Sequence, residues 1–278
     1  MTAHMVDYNE VWSDHMKRNR EVNSARDCSR IWESRDNALR FWNIFQENRD
    51  RVEKTIAGTY FTPESRVLDI GAGPGTLAIP FAQRVAHVTV VEPAEGMLSV
   101  LREKMAEEGV DNIAIVQKRW EDVNVNEDLE PPYDVVIASF SLGMQDIEAA
   151  IEKMTEAGNG RIYLYHFAGE TPWDRDCKDL WPRLYGKEYR PGPKSDILYN
   201  VLYQMGIYPH VRTFRLQHAQ RFATEEEAMQ HFCHQYGVTT AEQEAIVREH
   251  LAQVLQAESA GLVLPGSSTR VKIWWEIE

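Results

Sequence analysis

Val67-Leu68-Asp69-Ile70-Gly71-Ala72-Gly73-Pro74-Gly75-Thr76 is the stretch on which the reading of the chain turns. Arg66 to Ile70 is a short apolar run rich in β-formers, and it ends in three glycines at alternate positions. Helix formers follow from Thr76 to Arg84. A strand that feeds a glycine turn and then a helix offers backbone N–H groups and a positive helix end to a ligand. Glycine carries no side chain to hold that ligand off. Nucleotide-like ligands of several kinds use this geometry at the carboxyl edge of a parallel sheet, so the glycines alone leave the ligand open.

The acids nearby narrow it. Asp69 stands two residues before the first glycine, where an anion repels a pyrophosphate and attracts an ammonium or sulfonium. Glu92 closes the next apolar run, His87 to Val91, where a carboxylate can accept from both hydroxyls of a ribose. A dinucleotide loop reads G-x-G-x-x-G, and here Thr76 holds its last position, which disfavours a nicotinamide enzyme. A ligand with a ribose and no phosphates fits, and adenosylmethionine is such a ligand.

On either side the same alternation continues. A helical stretch from about Ala94 to Glu108 leads to strands at Asn112–Gln117, Tyr133–Ala138 and Arg161–His166. A helix over Ser195–Met205 is followed by a strand over His210–Leu216, and Val271, Ile273 and Trp275 mark a closing strand over Thr269–Ile277. Strands alternating with helices predict an α/β fold, a doubly wound sheet of seven strands with the last antiparallel. Residues 1–57 form a helical cap, with Ile31, Ala38, Trp42, Phe45, Val52 and Ile56 as its apolar stripe. Residues 58–278 form the core, with insertions at about 168–194 and 224–268. The first reads as loop-rich; the second is helical, with Thr224 and Glu227 as a capping signature.

At these residues the chain resembles the class I S-adenosylmethionine-dependent methyltransferases, whose Rossmann-like core opens with an acid, any residue, then G-x-G-x-G. Asp69, Gly71, Gly73 and Gly75 match that motif, with Ala72 inside it. Glu92 matches the family's second acid, followed by Pro93, and Met97 stands where the family commonly lines the adenine pocket. The resemblance further implies that Trp120 and Glu121 flank the adenine amine and that Ser139 ends the fourth motif strand. It implies adenosylmethionine as cofactor and adenosylhomocysteine as product. A domain that binds the cofactor without catalysis, or uses it for another group transfer, stays open beside methyl transfer.

Other constellations carry less. Glu130-Pro131-Pro132-Tyr133 looks like a motif of amino-group methyltransferases, but it precedes the fourth strand instead of following it, and so reads as a loop. His231, Cys233 and His234 lack a second ligand pair, and no metal is expected. His166 ends the fifth strand on the cofactor edge and is the candidate general base, packing being the plainer role. The net charge of −13 opposes a phosphate backbone, so a small-molecule acceptor is expected first, a protein next and nucleic acid least. No run approaches the ~20 apolar residues of a membrane span. The three cysteines form no CxxC pair, and with no secretory signal at the amino terminus the expected place is the cytoplasm.

Overall fold

The computed structural model describes residues 6–22, 31–47 and 49–277, the side chains of 45–47, 49 and 50 excepted. Cys28 and the Phe45 side chain lie outside the described residues. Before the sheet come α1 (Tyr8–Val22), α2 (Arg35–Glu47) and α3 (Arg49–Ala57). The expected stripe is thus carried by two helices, α2 and α3, through buried Ala38, Trp42, Val52 and Ile56.

Strands β1 (Arg66–Ile70), β2 (His87–Val91), β3 (Ile113–Val116), β4 (Tyr133–Ser139) and β5 (Gly158–Phe167) are parallel. Between them run α4 (Ala78–Ala82), α5 (Glu95–Glu108), α6 (Val125–Asp128) and α7 (Ile147–Ala157). The remaining strands are β6 (His210–Phe222), β7 (Gln256–Glu258) and β8 (Gly261–Glu276). The order is β3-β2-β1-β4-β5-β8-β6, with β8 antiparallel to both neighbours. β7 pairs with the start of β8, which makes eight strands where seven are expected.

The central strands β1, β2 and β4 and the second half of β5 are buried because they are nearly continuous apolar runs, while β3 and β6 are more exposed. Leu68, Ile70, Val136 and Leu164 pack with Trp12 of α1, with α7 and with α9 (Ser195–Gln204). Val67, Val88, Ile137 and Tyr163 pack on the opposite layer with α2, α3, α4 and α5. The chain builds outward from β1 to β3 and then returns to place β4 on the other side of β1. That reversal opens a crevice at the carboxyl ends of β1 and β4. The prolines of the Glu130–Tyr133 loop lie at the opposite, amino edge, where β4 begins.

Two expectations change. The segment expected as loop holds α8 (Pro172–Tyr185), whose Thr171 and Asp174 form a reciprocal capping box and whose end turns at Gly186, φ 63°. The strands expected to stop at Leu216 and to start at Thr269 run further and pair as a ribbon from Leu216↔Ser268 to Phe222↔Leu262. Between them lie α10 (Glu225–Tyr236) and α11 (Ala241–Val254), which with α8 bury a third apolar cluster around Trp181, Phe232 and Leu251. Thr224 accepts from Glu227 N–H as expected, while the Glu227 carboxylate takes the N–H of Ala223 and not that of Thr224.

Candidate cofactor crevice

Asp69, the next-to-last residue of β1, is only 2% exposed, and its Oδ2 has no hydrogen-bond partner among the described residues. Burial first, and the Glu92 charge second, push its pKa up to about 7. At the end of β2 the Glu92 carboxylate ties two loops together. Its Oε2 accepts from Gly73 N–H and its Oε1 from Ala94 N–H, both at 3.0 Å. Burial raises the Glu92 pKa, and the two backbone donors oppose that rise.

The three glycines do different jobs. All have positive φ (69°, 56° and 84°), a region that side chains rarely adopt. A Cβ on Gly71 would lie 2.3 Å from Ser141 Cβ, and one on Gly75 would lie 2.3 Å from Leu101 Cδ1. Those two permit close packing. A Cβ on Gly73 would meet only Met97 Sδ, at 3.8 Å, so Gly73 is where the loop opens. Buried Met97 and Ala72 border it, and Pro93 stands exposed at the start of α5. The leader closes one side: Gly96 of α5 is crossed by the backbone of Trp32 and Glu33. The orphaned Asp69 oxygen and the open face of Gly73 suit a ligand with a cationic group and a flat adenosine.

Ser139, the last residue of β4, is half-buried, and Phe140 after it takes φ 58°, a strained value for a residue with a side chain. Phe140 N–H donates to Tyr165 O, and Ser141 Oγ donates to Ile70 O at 2.5 Å. The Ser141 bond, which the sequence reading did not single out, ties the β4 loop to the glycine loop.

Three expected site residues sit elsewhere. Trp120 is a core residue: it is 3% exposed and its indole N–H donates to Ala150 O at 3.0 Å in the layer of α7. Glu121 is exposed, and its backbone oxygen accepts from Lys153. His166 turns toward Trp12, ring centroids 5.6 Å apart, on the layer opposite Tyr165. Its Nε2 bonds Pro193 O at 3.0 Å, and burial pulls its pKa down to about 4. A ring packed there with so low a pKa is a poor proton acceptor, and its surroundings suit a packing role better than that of a base. His231 accepts from Arg40 at 3.1 Å. Among the described residues no three His, Cys, Asp or Glu side chains are gathered as for a metal.

A methyltransferase-domain family model matches residues 67–158, from β1 to the start of β5. An uncharacterized protein of Haemophilus influenzae is 34% identical over 149 residues, 52% of this chain and 51% of that one. Ribosomal RNA small subunit methyltransferase G of Yersinia pseudotuberculosis is 34% identical over 101 residues, 36% of this chain and 47% of that one. The chain therefore spans about half the length of these curated relatives. In fold it is similar to the YcgJ protein of Bacillus subtilis, with TM-score 0.56 and 17% identity over 82% of this chain and 98% of that one. A proposed methyltransferase of Bacillus halodurans gives 0.57 and 16% over 81% and 98%. The glycine loop, its two acids and strands β1 to β4 thus lie within the matched methyltransferase domain, and the sheet as a whole shares the fold of these solved proteins.

Proposed function

We propose that the chain transfers the methyl group of S-adenosylmethionine to a small-molecule acceptor by in-line displacement, and that it works in the cytoplasm. The observation that carries the reading is the buried, unpartnered Oδ2 of Asp69 at the mouth of the crevice. When bound, adenosylmethionine supplies a methyl group on a positively charged sulfur and leaves as the neutral thioether adenosylhomocysteine.

The residues divide the work. Asp69 takes the amino group of the cofactor's methionine end, which satisfies its free oxygen. Glu92, already fixed by Gly73 and Ala94, presents its remaining lone pairs to the ribose hydroxyls. Gly73 lets the backbone approach the adenosine, and Met97 lies beside it. Ser139 and the Phe140 turn stand where the acceptor meets the methyl group. Alignment of the nucleophile behind the methyl carbon supplies most of the rate, and a good nucleophile needs no base.

A second reading takes RNA as the acceptor, favoured by the relatives named as ribosomal RNA methyltransferases. The net charge of −13 weighs against it. Calorimetry tests the common core: adenosylmethionine and adenosylhomocysteine are expected to bind with micromolar-scale affinity and NAD not at all. The reverse order ends both readings. Methyl-tritiated cofactor then separates them, by whether label enters RNA or the small-molecule fraction of an extract.

A further inference from the structure

Arg270 of β8 lies on the layer opposite Val271, beside the β4 loop. Its guanidinium carbon is 4.4 Å from the centroids of both Phe140 and Phe167, rings 5.1 Å apart. Nε donates to Ser268 Oγ at 2.8 Å, which leaves the two terminal nitrogens of the fork without an acceptor among the described residues. No carboxylate among the described residues pairs with it, although the chain has 43 acidic residues against 30 basic ones. Scarcity of acids is not the reason. Arg51 adds a second positive charge, its guanidinium carbon 5.0 Å from the same Phe140 ring. Burial, and for Arg270 the neighbouring Arg51, pulls both pKa values down to about 10, so both stay charged at neutral pH.

Arg270 and Phe167 line a cavity of about 710 Å³, with Trp173, His218, Gln235 and Tyr236 among its other walls. Its acids are engaged elsewhere. Asp174 is held by Lys194 at 2.9 Å and by Thr171 and Tyr189, and Asp176 lies 3.8 Å from His250. His218 Nδ1 is buried without a partner among the described residues, and burial, then Arg270, lowers its pKa. Phe140 packs against two of the groups that line the cavity, Phe167 and Arg270, and the residue after it, Ser141, donates to Ile70 O at the end of β1.

We infer that this cavity is the acceptor chamber and that the acceptor carries an oxyacid anion, carboxylate or phosphate, taken by the free fork of Arg270. Two terminal N–H groups side by side match two oxyacid oxygens. Arg51 adds charge, and the acceptor's carbon skeleton lies against Phe167 and Trp173. The inference rests on the methyl-transfer reading and narrows its substrate class.

The test uses the full chain saturated with adenosylhomocysteine and titrated with benzoate, phenyl phosphate and benzamide, followed by ligand-observed NMR. At least one anion is expected to bind tenfold or more tighter than the amide, and which one does tells carboxylate from phosphate. Arg270→Met should erase that preference, bringing the three probes within about twofold, while adenosylhomocysteine affinity stays within about threefold. Arg270→Lys should keep part of it. Arg270→Met gives up two cation–π contacts but also a buried charge with no carboxylate partner, so its thermal midpoint should stay within a few degrees of the wild type, and Arg270→Lys gives the reading if it does not. Equal binding of all three probes to the wild type, undetectable binding included, overturns the inference, as does a preference that survives in Arg270→Met. Failure of the wild type to bind adenosylhomocysteine instead removes the methyl-transfer reading.

Discussion

Asp69 is a carboxyl group kept from water in order to meet a cation. In the ligand-free protein its pKa of about 7, against 3.8 ordinarily, means the folded state holds a proton that the unfolded state has released. Its contribution to stability is complete below about pH 4 and is lost as pH rises through 7, on the order of 4 kcal/mol for a group this buried. An arriving ammonium favours the carboxylate and reverses the shift. Adenosylhomocysteine affinity should therefore fall as pH drops below 7, and binding at pH 6 should release a proton. Calorimetry in buffers of different ionisation enthalpy reads that proton, and Asp69→Asn should abolish it. Proton release unchanged in the variant would place the titrating group elsewhere. At Gly73 a valine adds strain at φ 56° and fills the open face, so Gly73→Val should abolish binding in a protein whose circular dichroism stays that of the wild type. Glu92→Gln keeps the shape but gives up a charge-assisted acceptor of about 1.5–3 kcal/mol. The expected loss is roughly ten- to a hundredfold in affinity. A 2′-deoxyribose analogue should lose less with the variant than with the wild type; equal losses mean that Glu92 does not touch the ribose.

Among the elements, the sequence reading is sharpest where one physical signal acts alone. β1 to β4 are short apolar runs closed by turn residues, and each lies within a residue or so of its expected ends. The glycine loop is readable because only backbone strain and close approach require glycine there. α8 is missed although its signs are present: Thr171-Pro172-Trp173-Asp174 starts it, and Cys177, Leu180, Trp181 and Leu184 mark one face. Pro182 inside the helix and the crowd of aromatics mask the period. His166 shows the other limit, since one residue along a strand reverses the face, and only the fold tells that Phe167 faces the cavity. Arg270 reads as a solvent-facing charge in an alternating strand until Phe140 and Phe167 are brought beside it. α8 also yields an element-scale expectation. Thr171 accepts from Asp174 N–H at 3.1 Å and donates to its carboxylate at 2.8 Å. Thr171→Ala should cost about 1 kcal/mol, and a melting scan should show a drop of roughly 2–4 °C; an unchanged midpoint would mean that the cap contributes nothing to α8.

On the scale of the whole molecule, three apolar clusters are separately packed. Two lie on the faces of the sheet; the third, built from α8, α10 and α11, stands over its carboxyl edge and walls the cavity. Polar residues line the boundary between that third cluster and the sheet, among them His218, Gln220 and Gln235. Few apolar contacts across a boundary make it the cheapest place for a structure to open, and cooperative opening units follow such boundaries. Leu251, 1% exposed in α11, belongs to the third cluster alone. Leu251→Ala should cost about 2–5 kcal/mol within that cluster. If the cluster opens as a unit, amide hydrogens of residues 172–185 and 225–254 should exchange faster by the corresponding factor, while those of β1 to β4 stay as they are. Adenosylhomocysteine affinity should remain within about threefold, because the groups assigned to it sit on β1, α5 and the loops that follow β1 and β2. Hydrogen exchange read by mass spectrometry separates this from the alternative. Acceleration spread evenly over β1 to β4 as well would show one cooperative unit, and an acceptor could then enter only through a path already open in the native state.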